Sequence, residues 1–399
     1  MKSPRRKISR LLKTPLLLSL VILVTTPFAG LAQSKKSAAT KTAYGAASVA
    51  RDRMIAATFA PVFYQGLGDE RRADFITNFN FDGDWRGDNN WANAENRRFP
   101  LLAYVYYAVS ETPTHFFIHY AVFHPRDYKG GGTRGVLLSE AIREGARRGG
   151  QYDPTGLSSE AVLAHENDME GCLVVASKSG GDDPARARVV YVETLGHDRF
   201  QKYAAEGVGA SGFRSFETED GRPVIYVEPK GHGLSAYDEE KRQKPTADAR
   251  AEGFGRMRDM LAYRYEGRAG DPAAGEFRGE VGYDLLPLYT TLWPRARRGA
   301  NETFGVALDF GALSASTFAS GKASSRRVTL GKLGAAFKGK VGAANAARPP
   351  WGWFDRTERD APAGSWFFDP AATIKKDFKA GEDFSQAYTH APFIGVFRR

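Results

Sequence analysis

The sequence predicts a mainly β fold, and three observations carry that expectation. Tyr, Phe, Trp and Gly are plentiful, whereas helical periodicity over long stretches is scarce. Residues 101–110 and 115–124 are rich in Tyr, Phe, Val and Ile and are joined by Glu111-Thr112-Pro113-Thr114, the pattern of a β-hairpin. Cys172-Leu173-Val174-Val175-Ala176 is an unbroken apolar run, as expected of a strand buried on both faces.

A hydrophobic content of 42% over 399 residues is that of a globular chain able to bury a sizeable core, as one large domain or two ordinary ones. Lys2, Arg5, Arg6, Lys7, Arg10 and Lys13 precede an apolar stretch at 16–28 and a small-x-small site ending at Ala32. This reads as a cleavable signal over residues 1–32, with export to the periplasm or outside the cell; a retained N-terminal anchor is the alternative. Removing those six bases lowers the net charge from +10 to +4, so the high pI is not read as a nucleic-acid footprint. Cys172 is the only cysteine, which excludes an intramolecular disulfide, and its apolar run makes it a buried side chain rather than a nucleophile.

In chain order, residues 33–50 read as a Lys-, Ser- and Ala-rich tether, followed by a single β-rich domain over 51–399. Phe59-Ala60-Pro61-Val62-Phe63-Tyr64 reads as an edge strand, because Pro is tolerated at edges. Residues 81–91 concentrate Asp82, Asp84 and Asp88 with Asn and Gly. An Asx-rich turn over packed Trp residues is preferred there to an auxiliary metal set, since Arg86 stands at a ligand position and no Glu closes a calcium loop. In the second hairpin strand Phe116, Ile118, Tyr120 and Val122 share one face. Pro125 is expected to stop the pairing and leave Asp127 at the rim of the sheet. A Gly-rich loop (129–135) and an amphipathic helix (136–148) follow.

Next comes Ala164-His165-Glu166-Asn167-Asp168-Met169-Glu170, running into the apolar strand. Period-two geometry places Glu166, Asp168 and Glu170 on one side, and no Lys or Arg lies between Arg148 and Lys178 to neutralise them. A hard divalent cation, Ca²⁺ or Mg²⁺, is the economical neutraliser, with His165 as its one nitrogen ligand; a solvated acidic turn is the plainer alternative. Strands are expected at 189–193 and 223–228, then a tight turn at Pro229-Lys230-Gly231-His232-Gly233. Residues 207–212 spell a dinucleotide fingerprint but follow no strand, and no phosphate loop or nucleophile elbow is present, so no dinucleotide partner is expected. Residues 237–279 read as a charged, partly helical insertion. Residues 281–293 and 304–310 return to strand-like runs, and 393–397 read as a closing strand. Residues 311–348 hold seven basic residues and no acid: a solvated strand-and-loop face, with contact to an anionic cell-envelope surface as the alternative.

Three segments, in order, carry a resemblance. Tyr120-Ala121-Val122-Phe123-His124-Pro125-Arg126-Asp127 resembles the tyrosine-rich strand of the necrosis- and ethylene-inducing-like cytolysins. His165-Glu166-Asn167-Asp168-Met169-Glu170 is similar to part of that family's signature heptapeptide, although Glu166, Asn167 and Met169 stand where the family has Arg, His and Trp. Lys230-Gly231-His232-Gly233 looks like its later His-Gly turn. A vacuolar protein sorting-associated family shares much of this layout. The resemblance implies a β-sandwich with a few peripheral helices and a divalent cation at one rim. It implies Asp127, His165, Asp168 and Glu170 as ligands and His232 as a contact through water.

The function expected from these readings is a secreted, metal-dependent protein that binds a glycan or a lipid head group such as that of a sphingolipid. The alternatives are a metal-assisted hydrolase of a phosphoester or glycoside, with Glu166 or His232 as general base, and a cell-envelope structural domain.

Overall fold

In a computed structural model the chain is described over residues 44–68, 70–127, 164–179, 181–196, 199–208, 212–238, 259–274, 278–342, 347–358 and 361–398. The expected signal, the first part of the tether, the helix at 136–148, the Gly-rich loop and most of the charged insertion lie outside these residues. Among the described residues no helix is long and apolar enough to cross a membrane.

Fifteen strands are described: β1 (Val62–Leu67), β2 (Tyr104–Glu111), β3 (His115–Asp127), β4 (His165–Ser177), β5 (Arg188–Gly196), β6 (Arg199–Ala204), β7 (Thr218–Glu219), β8 (Arg222–Val227), β9 (Leu234–Ala236), β10 (Asp259–Tyr265), β11 (Glu280–Pro287), β12 (Phe304–Asp309), β13 (Ala312–Ala319), β14 (Lys322–Thr329) and β15 (Lys332–Phe337). The helices are short: α1 (Ala46–Thr58), α2 (Asn90–Asn93), α3 (Trp293–Ala296), α4 (Ser365–Phe368) and α5 (Pro370–Phe378).

The main sheet runs β6-β5-β4-β3-β2-β11-β10-β1-β8-β7, with β9 paired to β8. It is mixed: β1–β8, β10–β11 and β11–β2 are parallel and the other pairs antiparallel. Strands β8 and β9 come round to pack against β5, so the sheet is nearly closed and its two halves face each other across one core. The mainly β fold with few, peripheral helices expected from the sequence is borne out.

The expected hairpin is β2–β3, with Val105 opposite Val122 and Tyr107 opposite Tyr120. Both faces of β3 and β4 are buried, which explains why Cys172 and its neighbours tolerate no polar side chain. Burial pushes the Cys172 thiol well above its ordinary pKa, so it stays protonated and inert. Gly171 is needed for contact: a Cβ there would lie 2.0 Å from the Tyr120 carbonyl oxygen and 2.7 Å from the Trp353 ring. Trp351, Trp353 and Trp366 are all core residues.

Several local expectations are corrected. β1 is an interior strand between β10 and β8; Pro61 precedes it and so removes no ladder bond. Pairing of β3 continues past Pro125, with Arg126 opposite Glu166 and Asp127 opposite His165. Helix α1 begins at Ala46, inside the expected tether, and buries Ile55 and Ala56. Asp259–Tyr265, within the expected insertion, is a strand held between β1 and β11. Residues 392–394 form a 3₁₀ turn in place of a closing strand, because Pro392 fixes φ and Gly395 takes the left-handed conformation.

Candidate metal centre

The polar end of the nearly closed sheet is built from β1, β3, β4 and the turn after β8. Continuing the apolar face of β3 beyond Val122 brings His124 inward, directly opposite Asp168 on β4. The turn after β8 adds His232, held at φ 54° beside Lys230 at φ 71°. Positive φ is uncommon for such residues, and here it is imposed by Asp74, whose carboxylate accepts the N–H groups of Gly68 and Lys230, both at 2.6 Å.

His232 lies between two carboxylates, with Nδ1 2.9 Å from Asp168 Oδ2 and Nε2 3.2 Å from Asp74 Oδ1. Burial alone would push its pKa down, but the hydrogen bonds and charges of Asp168 and Asp74 outweigh burial and raise it to about 9. It is therefore an imidazolium that neutralises both acids. The His124 ring stacks on it at 3.7 Å and 7°. Burial, and then the neighbouring His232 charge, hold the His124 pKa well below the ordinary value, so His124 is neutral.

The tautomer of His124 follows from its neighbour. Gln65 gives its amide hydrogens to the carbonyls of Gly66 and Glu228, at 2.9 and 3.1 Å. Gln65 Oε1 therefore faces His124 Nε2, 3.0 Å away, and must accept its proton. That leaves Nδ1 as the bare nitrogen, and it is buried with no hydrogen-bond partner. A buried lone pair without a partner is costly unless a proton or a cation meets it. His124, Asp168 and His232 each offer a ligand atom within 4.8 Å of the others, and His232 becomes a ligand only by giving up a proton, so the residues present fit a metal ion that takes over the imidazolium's charge.

Two rungs nearer the strand ends, Asp127 and His165 are paired across the β3–β4 ladder, with Asp127 Oδ2 3.3 Å from His165 Nε2 and both side chains buried. His165 Nδ1 is 2.7 Å from the Asn167 carbonyl oxygen and donates to it. In a neutral His165 the Nε2 lone pair would then turn toward the Asp127 carboxylate, an arrangement that calls for a shared proton or cation. Glu170 is buried opposite Val122 on the same face as His124 and Asp168.

Glu166 does not share a side with Asp168. Asn167 sits at φ 61°, which breaks the alternation. Glu166 instead accepts the backbone N–H groups of Trp91 and Lys340, at 2.7 and 2.6 Å. Burial raises its pKa despite those bonds. The Asn167 amide is saturated as well, giving to the carbonyls of Gly87 and Lys338 and accepting from Asn90. Together these residues fasten the 87–91 turn and the end of β15 over the start of β4.

That turn uses its own acids. Asp82 accepts from Asp84 N and Asn93, and Asp84 accepts from Arg86 N and Asn89. Asp88 is ion-paired with Arg86 and Lys338, which lower its pKa against the effect of burial. Beside it Arg126 pairs with Glu95 and lies 4.8 Å over the Trp91 ring.

The sequence reading did not find Asp74, Gln65 or His124 as site residues. For His124 a signal existed, since it is the next inward position after Val122. For Asp74 and Gln65 no local pattern distinguishes a polar residue that meets its partners only through the fold.

No protein-family model matches the chain, and no curated protein matches it. Among solved structures, Necrosis and Ethylene inducing Protein 2 from the causal agent of cocoa's witches' broom disease is 15% identical, over 46% of this chain and 67% of that one, with a TM-score of 0.27. NLPPya in complex with mannosamine is 13% identical over 47% and 68%, with a TM-score of 0.25. The non-toxic HaNLP3 protein is 16% identical over 34% of this chain and only 46% of its own length, with a TM-score of 0.21. This chain is distantly similar to parts of these toxin-fold proteins.

Proposed function

We propose that this protein, after export, binds a hydroxyl-rich head group, a glycan or the sugar of a lipid, through a divalent cation held around Asp168. The observation that carries the reading is the buried, partnerless Nδ1 of His124 beside the Asp168 carboxylate and His232. Asp168 belongs both to this set and to the set Asp127, His165, Asp168 and Glu170 expected from the sequence. The two sets differ in chemistry. A neutral imidazole at His124, joined by His232 once it has lost a proton, favours Zn²⁺, whereas Asp127, Asp168 and Glu170 favour Ca²⁺, Mg²⁺ or Mn²⁺. A cation there would take sugar hydroxyls as its remaining ligands.

This chain's own residues favour binding over hydrolysis. Both oxygens of Glu166 are engaged by backbone N–H groups, and both nitrogens of His232 by carboxylates, so neither is placed to take a proton from water.

Elemental analysis of the purified protein, followed by calorimetric titration of the chelated protein with Zn²⁺, Mn²⁺, Ca²⁺ and Mg²⁺, tests the site. One bound cation is expected, with affinity at least 10-fold weaker in Asp168→Asn. A glycan array read with and without chelator tests the ligand. Binding that persists in chelator would overturn the cation's role.

A further inference from the structure

The strands β13 and β14 form a hairpin outside the main sheet. Its turn is Ser320-Gly321, with φ of 52° and 74°, and Ala319 pairs directly with Lys322. Two left-handed residues in a two-residue loop match the twist of the flanking strands, so the turn is built to hold its shape. At the base, Leu313 and Val328 pack against the core. Lys322 at the turn and Arg326 and Arg327 nearer the base are exposed, as are Ser316, Ala323, Ser324 and Ser325; alternation puts Arg327 on the outer face with Phe318, and Arg326 on the face of Leu313 and Val328. No acid occurs between Asp309 and Asp355. Arg326 touches the Gly395 carbonyl at 2.9 Å, and among the described residues none of the three bases pairs with a carboxylate. Phe318, beside the turn, is half-buried and does not belong to the side chains packed on the core.

The hairpin lies away from the candidate metal centre. Thr317 and Phe318 meet Tyr388, two residues from His390, which pairs with Glu111 at the β2–β3 turn. The metal centre is at the other end of β3, about 30 Å distant at the rise of an extended strand.

We propose that the outer face and turn of the β13–β14 hairpin dock on an anionic phospholipid bilayer, with Lys322 and Arg327 over lipid phosphates and Phe318 in the interfacial layer. Charge complementarity argues for an anionic partner, because the hairpin holds three cations and no anion. The aromatic ring on the face of Arg327 favours a lipid interface over a sulfated polysaccharide, which offers nothing apolar. The proposal is independent of the cation site, and its test is run in chelator.

The experiment is sedimentation of the full chain with phosphatidylcholine vesicles, with and without phosphatidylglycerol, beside the double variant Lys322→Glu/Arg327→Glu. The N-terminal apolar segment is common to both chains and contributes equally. Each basic side chain near an anionic surface is worth a factor of about five, so the double reversal should weaken partitioning by roughly 25-fold or more. Raised salt should release the parent chain, and Phe318→Ser should weaken binding while leaving the salt dependence in place. Equal binding of the parent to both vesicle types would overturn the proposal. So would undiminished binding of the double variant with an unchanged melting curve, or binding to heparin without binding to phosphatidylglycerol vesicles.

Discussion

Replacing Gln65 by Leu tests the logic of the metal centre without touching a ligand. In the parent, Gln65 Oε1 accepts from His124 Nε2 at 3.0 Å, and this bond keeps the lone pair on Nδ1. Leu fills a similar volume but accepts nothing. His124 can then place its proton on Nδ1, which covers the lone pair intended for a cation. The lost bond biases the tautomer by about 1 kcal/mol, and the carbonyls of Gly66 and Glu228 lose their shared donor, so the fold should lose about 1–3 kcal/mol. Outer-shell groups of this kind are worth 10–100-fold in metal affinity, and a loss in that range is expected. Calorimetric titration with Zn²⁺ and Mn²⁺ reads the affinity, urea unfolding reads the stability, and ¹⁵N shifts of the His124 ring read the tautomer. Gln65→Glu, which keeps an acceptor, should hold the proton on Nε2. Unchanged affinity in Gln65→Leu, with the fold intact, would refute the tautomer argument, as would a parent ring protonated on Nδ1.

Two further expectations concern the supports around the centre. Gly342 has φ of 82°, and a Cβ there would lie 2.2 Å from His165 Cβ, so Gly342→Ala should lower the unfolding free energy read from urea titration by about 2 kcal/mol or more and shift the His165 ring resonances; an unaltered midpoint would contradict the packing. On the outer face of β5, Glu193 is buried against Trp366 Nε1 at 2.6 Å, and burial, then the Asp377 charge, push its pKa up to about 8. The folded protein therefore keeps a proton that the unfolded chain loses above about 4.5, so stability should fall as pH rises from there to about 8, at up to about 1.4 kcal/mol per pH unit. Urea unfolding of Glu193→Gln should show a flatter profile across that window, and an identical profile would sink the assignment.

What the sequence made legible was what periodicity encodes. The β2–β3 hairpin and the apolar half of β4 follow from alternation and β-branched or aromatic runs, which are local. The errors arise where a long-range partner decides. Pro125 looks like a stop, yet the ladder closes again beyond it because Arg126 and Asp127 have partners on β4. Alternation places Glu166 with Asp168, yet Asn167 turns left-handed because its amide is claimed by Gly87, Lys338 and Asn90, three contacts from distant segments. Asp259–Tyr265 sits in a charged stretch that reads as an excursion, and it is β1 on one side and β11 on the other that make it a strand.

The same reasoning explains how the candidate site was found in outline and missed in detail. A concentration of acids ahead of an apolar strand has to be neutralised, and that requirement is visible in the sequence. Which group neutralises each acid depends on the fold. Glu166 is met by backbone N–H groups, Asp168 by His232, and Asp127 by His165. Asp74, on a loop after β1, balances the second nitrogen of His232 and orders the turn that carries it. Glu166, Asp168 and Asp127 thus each have a separate local answer, and a single ion shared by these three is not required to explain their burial. Among the described residues of the centre, what those answers leave over is one buried nitrogen, His124 Nδ1, and it is this unmet demand, more than the count of carboxylates, that calls for a cation.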